Sequence, residues 1–174
     1  MTSAKMVRDL STEDAAYIAG LIDGEGSISL TRKHARENRQ LVVTISNTER
    51  PILEFVLQTV GAGKITSKRT SRAHHRPGLT FAISNRQALS LLAQVHPFLR
   101  SYKRARSALV LSSYVALTPR NGRYNSQLAA ARASFEERFL TISNRIRENV
   151  CRYSVDANPF SHADHLVENS FPRF

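Results

Sequence analysis

The 174-residue sequence contains one cysteine, Cys151, and no long apolar run. A single cysteine excludes an intramolecular disulfide and a zinc site built from several thiolates, and it is the usage expected in a reducing compartment. Without an apolar run of about 20 residues there is no transmembrane helix, and the charged start does not resemble a secretory signal. We therefore expect an intracellular protein, in the cytoplasm or nucleoid or in an organelle matrix according to the host, with no membrane partner.

Acidic residues are missing from the centre of the chain. Between Phe55 and Phe135 there are thirteen Lys or Arg residues and no Asp or Glu, within a formal net charge of +11. Solvated surfaces normally mix charges of both signs, so this bias predicts a nucleic-acid partner. The basic residues fall on strand-like segments rather than on one amphipathic helix, which argues against a membrane surface. Few aromatic residues lie among them, which argues against a platform for single strands. No Gly-rich phosphate loop indicates a nucleotide cofactor.

Hydrophobic periodicity predicts an α+β fold. Two pairs of segments alternate with period two, and each pair follows a segment with helical spacing. The order predicts an αββαββα core, in which helices cover one face of a four-stranded antiparallel, saddle-like sheet, followed by C-terminal helices over about 101–117 and 126–149. We expect one domain over residues 1–150. Residues 151–174 are expected to be an extension, draped on the body or disordered.

Details of the helices and strands follow from the same patterns. Ile28 and Leu30 in the first strand, and Leu41, Val43 and Ile45 in the second, are predicted to face the core. The apolar stripe of the next helix is predicted to be Ile52, Phe55, Val56 and Val60, and that of the last helix Leu128, Ala131, Phe135, Phe139 and Ile142. Asn85 is predicted to cap the third helix.

The other parity of the strands is polar and basic, as expected for a β-ribbon that enters the DNA major groove. At about 3.3 Å per residue, a seven-residue strand spans roughly seven base pairs, and a twofold pair covers about two helical turns. The predicted base readers are Ser27, Ser29, Thr31, Lys33, Gln40, Thr44, Thr66, Lys68 and Thr80. The predicted phosphate contacts are Arg32, Arg36, Arg39, Arg69, Arg72 and Arg76. For each Ser or Thr, ordinary strand-surface polarity is an equal alternative.

The stretch Tyr17–Ser27 begins as a helix and ends as a strand, with Glu25 between Gly24 and Gly26 in the predicted turn. Ser11 and Asp14 form a candidate capping box before this helix. Small residues leave one helical face nearly bare, so that a second backbone can approach closely. The predicted dimer interface comprises Ala16, Ala19, Gly20 and Asp23, with Asp23 also expected to fix the turn rather than bind metal.

The run Ile18-Ala19-Gly20-Leu21-Ile22-Asp23-Gly24-Glu25-Gly26 resembles the signature of the LAGLIDADG homing endonucleases. One copy is present, and single-copy members of that family act as homodimers. The resemblance implies that Glu25 and the Gly24 carbonyl bind a divalent cation. It also implies catalytic roles for Lys103, with Arg104 as the neighbouring alternative, and for Asn47 as a water-positioning residue, with Ser46 as the alternative. Mg²⁺ suits such oxygen ligands, and Mn²⁺ or Ca²⁺ is expected to substitute in binding.

The resulting hypothesis is a homodimeric, Mg²⁺-dependent endonuclease that cuts double-stranded DNA. By resemblance, it would cleave a long pseudo-palindromic target, leave short 3′ overhangs and promote intron mobility. Two alternatives use the same fold: an RNA maturase that assists splicing of a group I intron, and a DNA-binding regulator that does not cut. An acid at Glu25 and a basic residue at Lys103 argue against the regulator. The sequence separates the maturase less well.

Overall fold

The computed structural model describes residues 6–32, 34–35, 37–67, 78–119 and 122–153, with the side chains of the last helix described through residue 142. Within these ranges the order of elements is the predicted one. The elements are α1 (Thr12–Glu25), β1 (Gly26–Thr31), β2 (Gln40–Asn47), α2 (Arg50–Val60), β3 (Lys64–Ser67), β4 (Leu79–Ser84), α3 (Asn85–Val95), α4 (Lys103–Ser113) and α5 (Ser126–Tyr153), with a short 3-10 turn at His96–Phe98 between α3 and α4.

The four strands form one antiparallel sheet in the order β1-β2-β4-β3. Ile28 lies opposite Val43, and Ile45 opposite Phe81, so apolar residues of neighbouring strands share one face. These side chains are buried together with residues of α1, α2 and α3 in a single core. Burial of this apolar face is the main stabilising term of the fold. The predicted α+β class and the placement of helices on one face are confirmed.

Helix α1 begins as the sequence predicts and ends later. The Ser11 hydroxyl accepts a hydrogen bond from the Asp14 amide (3.1 Å), which caps the first turn. The helix continues through Glu25, so this acid lies in the last helical turn and not in the predicted turn. The next residue must be glycine, because a Cβ on Gly26 would lie 2.7 Å from both the Thr44 carbonyl oxygen and the Ile22 Cα. The sheet and α1 therefore meet backbone to backbone.

Two predictions about α2 and α3 are wrong. The buried stripe of α2 is Leu53, Val56 and Val60, whereas Phe55 is 40% exposed and makes an edge contact with Tyr17 of α1. Leu53 lies one helical turn before Val56 and so shares its buried face, whereas Phe55 points about 100° away from Val56. Asn85 does not cap α3.

Asn85 has a positive φ of 54° as the first residue of α3. Asparagine tolerates this left-handed conformation better than most residues. Its side-chain oxygen accepts from the Tyr114 hydroxyl (3.1 Å), and that hydroxyl accepts from the Leu41 amide (3.0 Å). Asn85 thus connects the end of α4 to the start of β2.

Helix α5 packs through a stripe that contains a buried cation. Phe135 and Phe139 are buried as predicted, but Ala131 is exposed and Arg132 is only 3% exposed. The Arg132 guanidinium donates to the Leu117 carbonyl (3.1 Å), to the Arg39 carbonyl and to Glu136 (3.1 Å). This hydrogen bonding satisfies a charge that would otherwise be costly to bury. Arg132 was missed because a charged residue on an apolar stripe gives no periodic signal.

Helix α5 runs through Tyr153, beyond the predicted domain end at residue 150. Residues 154–174 lie outside the described ranges, so the extension stays a prediction. Among the described helices, none has the length and apolarity needed to cross a membrane.

Candidate active site and nucleic-acid interface

The exposed residue Glu25 borders a cleft of about 290 Å³. Glu25, Ser46, Asn47, Thr48, Gly78 and Leu79 line it. The pairing of Gly26 with Ile45, and of Asn47 with Leu79, brings the end of α1 beside the end of β2 and the start of β4. The structure therefore brings Glu25 together with Asn47 and with its alternative Ser46, as the resemblance implies.

Both polar neighbours of Glu25 have partners within the chain. The Asn47 side-chain oxygen accepts from the Glu49 amide (2.9 Å), which forms the turn into α2. The Ser46 hydroxyl is 3.0 Å from the Thr80 hydroxyl on β4. The cleft thus combines an exposed carboxylate with side chains that are oriented by hydrogen bonds within the chain.

Lys103 is buried against the end of α1. Its Nζ donates to the carbonyl oxygens of Ile22 and Asp23, each at 2.8 Å, and the residue is only 5% exposed. A cation at this place stabilises the negative end of the helix dipole. Burial lowers the pKa of Lys103, while the carboxylates of Asp23 and, more weakly, Glu25 act to raise it. The predicted catalytic cation therefore lies close enough to Glu25 to feel its charge, whereas Arg104 is exposed.

One chain supplies few ligands for a cation. In the described part of the chain, no three His, Cys, Asp or Glu side chains converge. The Asp23 carboxylate is already bound to Arg100 and Ser101 (2.6 Å to each). What remains is the Glu25 carboxylate with the Gly24 carbonyl and the hydroxyl groups of the cleft, all oxygen donors. Oxygen donors of this kind suit Mg²⁺ or Ca²⁺, but a single carboxylate is a poor site by itself.

One residue of the predicted dimer interface is corrected. Ala19 is fully buried in the core of its own chain and has no surface to offer a partner. The error arises because Ala19 lies about 100° around the helix axis from the exposed Gly20, on the side of α1 that packs on the core. The Asp23 carboxylate binds the start of α4, and its place in the dimer interface stays a prediction.

The exposed face of α1 still carries small residues. Gly20 and Gly24 are exposed, and Ala16, one turn earlier, is half-buried. A Cβ built on Gly20 or Gly24 meets no atom of the described chain within 4 Å. Intramolecular packing therefore does not explain these glycines, and Tyr17, 48% exposed, flanks them.

The predicted base readers within the described ranges share the sheet face opposite the core. By strand alternation, this outer face comprises Ser27, Ser29, Thr31, Gln40, Thr44, Thr66 and Thr80. Two hydroxyl pairs cross between strands, Ser27 with Thr44 (2.8 Å) and Ser46 with Thr80. Thr80 is only 9% exposed because it lies on a central strand between these neighbours. Its prediction as a base reader is corrected.

Arg39 has partners within the chain. Its guanidinium lies 3.3 Å from the Glu136 carboxylate and donates to the Leu30 carbonyl (3.3 Å), and its phosphate contact stays a prediction. Arg32 is exposed and donates to the Ala35 carbonyl (2.9 Å). The other predicted contacts lie outside the described residues: Lys33, Arg36, Lys68, Arg69, Arg72 and Arg76.

A second cleft of about 310 Å³ lies on this outer face. It is lined by Thr31, Arg32, Glu37, Gln40, Val42, Lys64, Ala82, Ile83 and Ser84. Lys64 was not among the predicted DNA contacts, although its alternation with Ile65 places it on this face. Glu37 was not predicted to line this cleft, because it lies in the loop between the first two strands, which has no periodicity.

Part of the basic central stretch is used within the fold. The side chains of Arg86, Lys103, Arg106 and Arg132 all donate to backbone carbonyl oxygens. Arg106 is packed against the rings of Tyr102 and Phe139, and burial lowers its pKa. The basic residues of the acid-free stretch therefore fall into two groups: some lie on the surface, and others bind backbone carbonyl groups within the fold.

A family model described as a LAGLIDADG-like domain matches residues 12–96. The homing endonuclease I-CvuI, solved with its target in the presence of calcium, aligns with a TM-score of 0.62 at 18% identity, over 82% of this chain and 96% of that one. The structure of the same enzyme with the I-CreI target and magnesium aligns with a TM-score of 0.61 at 18% identity, over 83% of this chain and 98% of that one. The archaeal intron-encoded homing endonuclease I-Vdi141I, complexed with DNA, aligns with a TM-score of 0.52 at 15% identity, over 82% of this chain and 98% of that one. Curated protein sequences give no match.

Proposed function

We propose that the chain is a site-specific endonuclease for double-stranded DNA, because residues 12–96 match a LAGLIDADG-like domain and the fold is that of the homing endonucleases. It acts as a homodimer with a divalent metal, inside the cell that carries its host gene. The observation that carries the proposal is the placement of Glu25: an exposed carboxylate at the last turn of α1, beside Asn47 and within the field of Lys103.

A second copy of the chain would complete the site. The small residues of α1 end at Glu25, so two α1 helices that pack through Gly20 and Gly24 bring two carboxylates to a common point. Close approach of backbones requires positions without side chains, which Gly20 and Gly24 provide. The site would then have two carboxylates and two Gly24 carbonyls.

Glu25 and the Gly24 carbonyl would hold Mg²⁺, which when bound polarises a phosphodiester and lowers the pKa of a water. Mn²⁺ or Ca²⁺ would occupy the same oxygen ligands. The amide of Asn47, with its oxygen fixed by Glu49, would position a water in the cleft. The buried ammonium of Lys103 would offset negative charge that develops in the transition state. Asn47 and Lys103 are already oriented by hydrogen bonds in the single chain.

The outer sheet face supplies the DNA-binding surface of the proposal. Strand β2 has eight residues, a length of about 26 Å at 3.3 Å per residue, so one subunit covers less than one turn of DNA. Two subunits would read a long pseudo-palindromic target. Exposed polar residues such as Thr31, Gln40 and Thr66 are the candidates for base contact, with Lys64 as a phosphate contact. We also propose that the cuts are staggered and leave short 3′ overhangs, and that cleavage promotes intron mobility.

The test begins with a duplex selected by the protein from a randomised DNA pool in Ca²⁺. Incubation of that duplex with Mg²⁺ and with chelator, followed by mapping of the ends, is expected to show metal-dependent cleavage of both strands. Glu25→Gln is expected to lower the cleavage rate by about 100-fold or more while retaining binding. Glu137→Gln, an exposed acid of α5, is the matched control.

Three outcomes contradict the proposal in different ways. Binding without any cut by the unaltered protein would favour a DNA-binding regulator. Failure to select duplex DNA, together with binding to a structured group I intron RNA, would favour a maturase. Cleavage by Glu25→Gln at the parental rate would show that the site is elsewhere.

A further inference from the structure

Two segments far apart in the sequence stabilise each other's helix ends. The Lys103 ammonium binds the last carbonyls of α1, at Ile22 and Asp23 (2.8 Å each). In return, the Asp23 carboxylate accepts from the amides of Arg100 (2.6 Å) and Ser101 (3.3 Å), just before α4 begins. A cation thus sits at a helix C-terminus and an anion near a helix N-terminus, the favourable arrangement for both dipoles.

The hydroxyl of Ser101 joins these two contacts. It donates to Asp23 Oδ1 (2.6 Å) and accepts from the backbone amide of Lys103 (3.2 Å). Tyr102, the residue that immediately precedes α4, makes no side-chain cap. Ser101 therefore supplies the side-chain oxygen that meets the first amide of α4. One oxygen atom holds both the end of α1 and the residue whose ammonium caps it.

We propose that Ser101 is a positioning residue for the proposed cleavage reaction, whose hydroxyl fixes the Lys103 ammonium against the end of α1 that carries Glu25. The inference rests on the proposed function. Ser101 would touch neither DNA nor metal and would act through Lys103 alone.

The physical reason is the flexibility of lysine. A four-carbon stem has several rotatable bonds, so the place of the ammonium depends on how firmly its backbone is held. Two carbonyl acceptors fix the far end of the side chain, and the Ser101 hydroxyl fixes the near end through the Lys103 amide. Without the hydroxyl, the Lys103 amide loses its acceptor and Asp23 loses its shortest side-chain donor. Displacement of a reacting group by about 1 Å can cost about 100-fold in rate.

The experiment compares Ser101→Val with Ser101→Thr, which has nearly the same shape but keeps the hydroxyl. Ser112→Val, at an exposed serine of α4, is the control for replacing a serine by a branched residue in this region. The probe is the duplex selected from the randomised pool. Measurements are the single-turnover cleavage rate in Mg²⁺, the equilibrium Kd in Ca²⁺, and amide hydrogen exchange over residues 100–103.

Ser101→Val is expected to lower the cleavage rate by about tenfold or more, to leave Kd within about twofold, and to speed exchange at Ser101 and Lys103. Ser101→Thr is expected to restore both the rate and the protection. Ser101→Ala, which adds no bulk, repeats the test if valine disturbs folding. A rate for Ser101→Val and Ser101→Ala equal to that of Ser112→Val overturns the proposal, as does equal loss in Kd and rate or failure of threonine to rescue.

These outcomes separate the two proposals. If the unaltered protein cuts and the Ser101 variants cut equally well, the endonuclease stands and only the role of Ser101 is lost. If the unaltered protein does not cut, the endonuclease proposal fails and the positioning role fails with it, although the exchange data still report whether the hydroxyl holds the two helix ends.

Discussion

The guanidinium Nε of Arg39 lies 3.3 Å from a carboxylate oxygen of Glu136, which joins the start of β2 to helix α5. The other carboxylate oxygen accepts from Arg132 (3.1 Å), and Arg132 also binds the Arg39 carbonyl. Arg39 in turn donates to Leu30 of β1. A single glutamate thus serves two arginines and fixes the paired ends of β1 and β2 against the last helix. Helix α5 therefore stabilises the β1–β2 hairpin, which carries candidate DNA contacts, through Glu136 and Arg132.

Glu136→Gln is expected to lower the free energy of unfolding by about 2 kcal/mol, since it removes the charge that two arginines share and leaves the buried Arg132 without an anion. The measurement is chemical denaturation followed by circular dichroism.

Glu54→Gln is the matched control. It breaks the ion pair with Arg50 on α2, which has side-chain exposures of 66% and 42% and so contributes less than about 0.5 kcal/mol. Equal effects of the two substitutions would show that the α5 network does not stabilise the fold.

Much of the fold follows from local periodicity. Period two in β1 and β2 predicts that Ile28 and Val43 lie on one face, and the structure confirms it, because a buried sheet face fixes the register of both strands. Alternation gives the face of a residue but not its depth. Thr80 has the predicted orientation and is buried by its neighbours on a central strand, while exposed Thr66 lies on the edge strand.

The candidate site was predicted in part by the family resemblance. The motif identifies Glu25 as the candidate acid, although in a turn rather than in the last turn of α1, and strand pairing then brings Asn47 to the same cleft. The partners of Asp23 and Arg39 were not predicted, because Ser101 and Glu136 lie many residues away and no local pattern joins them. Long-range polar contacts of this kind depend on the packed helices, and a sequence pattern does not specify them.

Gly26→Ala is expected to destabilise the protein by about 3 kcal/mol, near the upper end for overpacking, because the new Cβ would meet backbone atoms of Ile22 and Thr44 at 2.7 Å. Backbone atoms on both sides leave little freedom to relax. Gly78→Ala is the control, since a Cβ there meets nothing within 4 Å. Urea denaturation measures both. Similar midpoints for the two variants would mean that α1 and β2 can separate without cost.

Gly20→Leu provides the sharpest test of assembly through α1. In the single chain, the substitution adds an exposed side chain where no atom lies within 4 Å, and leucine is a better helix former than glycine by nearly 1 kcal/mol. The folded chain should therefore be no less stable. In a dimer packed through Gly20, the same side chain would prevent the helices from approaching. The dimer dissociation constant should therefore rise by about tenfold or more, and cleavage should be lost with the dimer.

Ala129→Leu adds comparable bulk at an exposed position of α5 and controls for nonspecific effects of an apolar substitution. Sedimentation velocity over a dilution series measures the dimer dissociation constant, and thermal unfolding at low concentration measures the single chain. If Gly20→Leu and Ala129→Leu dimerise equally well, the partner does not lie against this face. Two Glu25 carboxylates then do not meet through α1, and the shared metal site loses its physical basis.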